Sequence, residues 1–286
     1  MTVLPNGNFV VTDPGFSEPG GAGAIGAVYL YDGVTLNPIS RLTGGSPGDQ
    51  VGADGITVVS GGNYVVHSPY WKNGGVTDAG AATWCSGTTG RTGVVSVENS
   101  LVGGATYARV GARSSYDGSG NIIVLSSGHY LLCTPDWHDG TAAGMGALTW
   151  CRADGTVTGE VSPANSLIGT SRNDHVGRKD SITLLPDGNF LICTSSWDNG
   201  SAVNAGAVTW GSGVSPTVGG VSAANSLVGG ATDDHVGENM IILSSGNYLV
   251  GSPYWDNGST ENAGALTWGG AAGGVRGEVS AENSVV

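Results

Sequence analysis

The sequence predicts an all-β protein made of five tandem copies of one four-stranded unit, and three observations carry that expectation. Glycine supplies 52 of the 286 residues, while Asp, Glu, Lys and Arg together make up only 12%. That is a turn-rich composition, unlike the Glu-, Lys-, Leu- and Ala-rich blocks of a helical domain. A segment closed by two tryptophans recurs as "SPYWKNGGVTDAGAATW" (68–84), "TPDWHDGTAAGMGALTW" (134–150), "TSSWDNGSAVNAGAVTW" (194–210) and "SPYWDNGSTENAGALTW" (252–268). An Asn-Ser pair follows each at the same offset, at Asn99, Asn165, Asn225 and Asn283. Self-similarity of this kind signals a repeat architecture.

A divergent first copy opens the chain with "TVLPNGNFVVTDP", "GAVYLYDG" and "ISRLTGG". The copies are expected to span 1–55, 56–120, 121–180, 181–239 and 240–286. In the second copy, strand A is "ITVV" (56–59) and is followed by "SGGN", a hairpin whose residues tolerate positive φ. Strand B is "NYVVHS" (63–68), stopped by Pro69, which cannot donate to a ladder. A polar loop over 71–78 leads to strand C, "GAATWC" (80–85). A Gly/Thr loop then leads to strand D, "GVVSVENSLV" (93–102), and a glycine-rich link returns to the next strand A.

Strand B reads "YVV", "YLL", "FLI" and "YLV" in the later copies, apolar on both faces, so both faces are expected to be covered. Radial stacking does this while leaving short edges. The expected fold is therefore a single-domain, five-bladed β-propeller with four antiparallel strands per blade.

The stretch 26–69 resembles the FG-GAP repeat of integrin-α-type propellers. "DQVG" stands at that family's Phe-Gly step, and "HSP", "CTP" and "GSP" stand at its Gly-Ala-Pro step. The form "WDNG…NAGAVTWGSG…VSAANSLVGG" is similar to repeats of unknown function in large bacterial surface proteins. The resemblance implies a propeller and a binding or adhesion role in a secreted or surface bacterial protein. Related repeats often carry an Asp-rich calcium loop between strands A and B. Here that place holds "PNGN", "SGGN", "SSGH", "PDGN" or "SSGN", so no calcium site is carried over.

Net charge is −13, with ten Lys plus Arg, which disfavours nucleic acid and anionic membranes as partners. No apolar run approaches the ~20 residues of a membrane helix, and the opening "MTVLPNGNFVV" lacks the basic and apolar regions of a signal peptide. Cys85 matches Cys151, and Cys133 matches Cys193. The other copies place His67, Gly251 or Thr12 at the second position, so buried thiols are expected rather than disulfides. No nucleophile–base pair, metal-ligand spacing or phosphate loop stands out. The expectation is a monomeric, non-enzymatic binding module without metal or cofactor, its ligand a protein or a glycan.

Strand alternation sends the B–C loops and D–A links to one face. That face gathers Trp71, Trp137, Trp197 and Trp255, together with Asp78, Asp136, Asp139, Asp198, Asn199, Asp256 and Asn257. An indole beside carboxylates and amides suits a sugar ring and its hydroxyls, so these Trp residues with Asp198, Asn199, Asp256 and Asn257 are the candidate ligand-binding set. The competing reading wedges each Trp between copies as packing, with "DNG" as its turn, which leaves a protein-binding platform or a purely structural array. Asp174 and Asp234, beside His175 and His235 in the links, read as turn-capping carboxylates rather than catalytic dyads.

Overall fold

The computed structural model describes residues 1–21, 23–113 and 121–286; the end of the second copy, 114–120, lies outside them. The protein is all-β, its strands forming five sheets of four or five strands. The first copy contributes β1 (Thr2–Val3), β2 (Phe9–Asp13), β3 (Ala27–Tyr31) and β4 (Pro38–Thr43). The second gives β5 (Ile56–Val58), β6 (Tyr64–Ser68), β7 (Ala81–Cys85), β8 (Gly93–Val94) and β9 (Leu101–Val102). The third gives β10 (Ile122–Val124), β11 (Tyr130–Thr134), β12 (Ala147–Cys151), β13 (Gly159–Glu160) and β14 (Leu167–Ile168). The fourth gives β15 (Ile182–Leu184), β16 (Phe190–Thr194), β17 (Ala207–Gly211), β18 (Gly219–Gly220) and β19 (Ser226–Val228). The fifth gives β20 (Asn239–Ile242), β21 (Tyr248–Ser252), β22 (Ala265–Gly269), β23 (Gly277–Glu278) and β24 (Ser284–Val285).

The first three strands of a copy follow the expected antiparallel meander, as in Val58↔Tyr64 and Val65↔Trp84. Strand D departs from it. The expected single strand over 93–102 is two short strands in two different sheets. Its second half, β9, stays antiparallel to β7. Its first half, β8, leaves the copy and adds in parallel to β4 of the copy before. The same exchange places β13 on β9, β18 on β14 and β23 on β19.

The break between the halves has a local cause. Asn99 Oδ1 accepts the Ser96 N–H at 3.0 Å and the Ser100 hydroxyl at 2.8 Å, while its Nδ2 donates back to the Val94 carbonyl at 2.8 Å. An Asn that bonds its own neighbourhood in this way closes a turn and competes with the ladder. The Ser100 oxygen in turn lies 2.7 Å from Thr83 Oγ1 on strand β7. The relay recurs as Thr209–Ser226–Asn225 and Thr267–Ser284–Asn283, which explains both the Thr of "TW" and the recurrent "NS".

The chain divides into two compact units. Met1–Val124, Gly128–Thr141 and Cys151–Val161 form one; Leu125–Ser127, Ala142–Trp150 and Ser162–Val286 form the other. In the first, Leu30, Leu42, Tyr64, Val66, Trp71 and Val102 belong to one apolar cluster. In the second, Leu191, Val208, Leu227, Tyr248, Val250 and Trp255 do the same. The four cysteines are thiols, and burial pushes Cys85 and Cys151 up to about 12.

Candidate functional site

The loop that follows each strand B is built the same way in the second, fourth and fifth copies. The Trp N–H turns back to the last residue of the strand, as Trp197 N to the Thr194 carbonyl at 3.0 Å. Further on, Gly206 N returns to the Trp197 carbonyl at 2.9 Å. Between them, Asn199 and Ala202 exchange both backbone hydrogen bonds, the small hairpin foreseen in "DNGS". Trp71, Trp137, Trp197 and Trp255 keep only 2–6% of their surface exposed. They are packed under their loops and cannot floor an open sugar site. Asp198 Oδ1 accepts Asn204 N at 2.9 Å, Asp256 Oδ1 accepts Asn262 N at 2.8 Å, and Asn199 Nδ2 donates to the Gly229 carbonyl at 2.9 Å. Asp198 and Asp256 thus hold their own loops, Asn199 ties its loop to the following D–A link, and Asn257 is exposed.

The D–A links meet these loops, as strand alternation requires. Asp174 accepts Thr170 N and Ser171 N at Oδ2 (both 2.7 Å) and Asp198 N of the next copy at Oδ1 (3.2 Å). Burial pushes its carboxyl upward, opposed by those backbone donors. Asp49 makes the matching bonds to Gly45, Ser46 and Lys72. These link aspartates are internal fasteners between consecutive copies.

The residues around the fasteners reach the surface. Where the fourth and fifth copies meet, Ser195, Asp233, His235, Glu238, Tyr254 and Asn262 line an open cleft of about 640 Å³. His235 Nδ1 donates to the Ser195 carbonyl at 3.0 Å, and its Nε2 lies 3.7 Å from Asp233 Oδ1. The Tyr254 ring stands edge-on to His235 at 6.0 Å and is 45% exposed. Asp233, His235 and Asn262 all have positive φ (64°, 47° and 50°), so tight turns of the link and of the following loop present them. Lining the corresponding link between the second and third copies, Arg109, Arg113 and Asp136 leave only about 10 Å³. Among the described residues no group of three His, Cys, Asp or Glu side chains is placed to hold a metal ion, and no helix is long and apolar enough to cross a membrane.

Sequence reasoning selected the recurrent Trp and, apart from Asp136, not the residue before it, which varies as Tyr70, Asp136, Ser196 and Tyr254. A packing residue is held fixed by its pocket, whereas its exposed neighbour is free to differ. That variation between copies was the available signal.

Fold and site together define a class: a tandem all-β repeat protein whose copies interlock by exchanged strands and present variable side chains at their joints. The chain belongs to a family described as a repeat of unknown function (DUF5650), which it matches at residues 58–112, 124–178, 184–238 and 242–286. These are the second to fifth copies. No curated protein matches the chain.

Proposed function

We propose that this chain is a non-catalytic recognition module that takes a saccharide in the cleft between its fourth and fifth copies. The cleft itself carries the reading. Tyr254 offers a half-exposed ring, and Asp233, Glu238, Asn262 and Ser195 surround it with hydrogen-bonding groups. A pyranose presents an apolar face to such a ring and hydroxyls to carboxylates and amides. Two carboxylates at the site and a net charge of −13 select against anionic ligands. His235 is committed to the Ser195 carbonyl, which suits a positioning role better than proton transfer. The likeness to FG-GAP repeats supports a setting in a secreted or surface bacterial protein, with adhesion as the outcome of binding.

A five-bladed propeller is the closed form of such a module, and it requires a further strand on β24. Within the described residues β24 pairs with β22 alone. The repeated buried joints favour a second reading, a structural array with no ligand. A glycan array separates the two. The recognition reading expects a defined glycan set, with binding lost in Tyr254→Ala at unchanged melting temperature. Absence of binding to any glycan leaves the structural array.

A further inference from the structure

The joints between copies follow one rule. Each uses a Gly-x-Val-Ser segment of the later copy: Gly93–Ser96, Gly159–Ser162, Gly219–Ser222 and Gly277–Ser280. In two of them the glycine N–H donates to a serine carbonyl on the earlier copy, Gly159 to Ser100 at 2.9 Å and Gly219 to Ser166 at 3.0 Å. The valine N–H donates two residues further on, as Val161 to Val102 at 2.9 Å, Val221 to Ile168 at 3.0 Å and Val279 to Val228 at 3.0 Å. The valines themselves are buried. A glycine from the preceding turn lies over the strand-C tryptophan of the earlier copy, Gly155 over Trp84 and Gly274 over Trp210. Trp210 Nε1 also donates to the Ala271 carbonyl at 2.8 Å.

Among the described residues, nothing covers the receiving half of this joint on the fifth copy. Leu266 is 40% exposed, Trp268 57% and Val285 75%. Their counterparts in the fourth copy, Val208 and Leu227, are fully buried, and Trp210 is half-buried. The Ser284 carbonyl stands where the Ser100 and Ser166 carbonyls receive a glycine. Residues 1–55 contain no Gly-x-Val-Ser segment, and the chain's four such segments are already seated on its own sheets.

We infer that the face formed by Leu266, Trp268 and Val285 with the β24 edge is a docking site for a further repeat of this family. The incoming repeat adds a Gly-x-Val-Ser strand in parallel to β24 and sets a turn glycine over Trp268. The chemistry is strand addition at a sheet edge: main-chain hydrogen bonds supply affinity, and the valine and glycine positions supply selectivity. An uncovered edge beside exposed apolar side chains also invites unspecific association, so a dedicated occupant is the economical arrangement.

The test uses the whole chain and a peptide of residues 270–284, "GAAGGVRGEVSAENS", titrated in trans and also attached behind Val286 through a Gly/Ser linker. Attachment raises the effective concentration to the order of millimolar, so a weak contact is still read. The expected result is a blue shift of tryptophan emission that is absent in Trp268→Phe. A peptide carrying Val279→Asp should bind at least about tenfold more weakly, as loss of a buried anchor does. No shift with the attached peptide overturns the inference, as does equal binding of the Val279→Asp peptide. Sedimentation showing that the chain dimerises through this face, with the dimer dispersed by Trp268→Lys, would assign the face to a second copy of the chain and also overturn it.

Discussion

Asp234 reaches from one copy into the next: its Oδ1 accepts the backbone N–H of Asp256 at 3.0 Å, while its Oδ2 holds Gly230 N and Ala231 N, both at 2.8 Å. Asp234 is 1% exposed, so these three donors stand in for water around its carboxylate. One carboxylate therefore fixes both the fold of its own link and the position of the following Trp loop. Hydrogen bonds to a charged group contribute about 1.5–3 kcal/mol each in comparable cases.

Asp234→Ala should accordingly destabilise the protein by about 2–3 kcal/mol. Asp234→Asn, which keeps one acceptor oxygen, should cost less. Urea unfolding of the two variants against the parent measures both. Equal stability of all three would show that the fastener carries no load. The second copy has Ala108 at this position, so its joint manages without the carboxylate, and Ala108→Ser should be close to neutral there.

Much of the fold was legible because it is written several times. The copies, the hairpin between strands A and B, the Pro stop in the second copy and the strand-C register all follow from local turn chemistry and two-residue alternation. The splitting of strand D was not legible, since "GVVSVENSLV" has the apolar content of one strand. Only the Asn99 turn, which depends on where Ser96 and Val94 lie in space, breaks it. The site was half legible. Alternation of strand direction brought the B–C loops and D–A links together, as Asp174 and Asp198 demonstrate. Whether Trp255 faces solvent or core is decided by packing in a cluster with Leu191 and Val236, residues far from it in sequence.

His67 links stability to pH. Its Nδ1 donates to the Gly111 carbonyl at 3.0 Å, its Nε2 accepts from Thr57 Oγ1 at 2.8 Å, and burial lowers its pKa from 6.5 to about 4. The neutral ring is the folded form, so the unfolded chain binds the proton first. The contribution is whole above pH 6.5 and is lost as pH falls toward about 4, for a total of about 3 kcal/mol. His67→Gln keeps a donor and an acceptor without titrating. The stability difference between parent and variant should therefore shift against the parent across that interval. A difference independent of pH between 7 and 4 would contradict the assignment.

The Thr209–Ser226 pair, 2.6 Å apart and buried, should show an asymmetry. Ser226 donates to Asn225 Oδ1 at 2.9 Å, so Thr209 supplies the proton shared with Ser226. Ser226→Ala strands the Thr209 hydroxyl without its acceptor, at about 1–3 kcal/mol. Thr209→Val removes the donor and keeps the shape, at about 1 kcal/mol. The double variant should cost less than the sum, because removing Thr209 cancels the stranded hydroxyl. Strict additivity in a double-mutant cycle would mean that the two oxygens do not interact.

The parallel joints predict a difference between two glycines of the same copy. Gly155 and Gly159 both have positive φ, 72° and 101°, so alanine strains the backbone at either, by about 1 kcal/mol. Their surroundings differ. A Cβ on Gly155 would stand 2.4 Å from the Trp84 ring, whereas a Cβ on Gly159 meets nothing within 4 Å. Gly155→Ala therefore adds overpacking, typically about 1–3 kcal/mol more, and it acts on the neighbouring copy because Trp84 belongs to the second. Gly159→Ala should lower stability slightly and leave Trp84 emission unchanged. Gly155→Ala should lower stability further and shift that emission toward the exposed value, as Trp84 is displaced from under the turn. Trp84→Ala should relieve the clash, so that Gly155→Ala costs no more than Gly159→Ala in that background. Equal penalties for the two alanines in the parent would show that the turn glycine does not seat on the tryptophan, and that the joint is held by its exchanged strand alone.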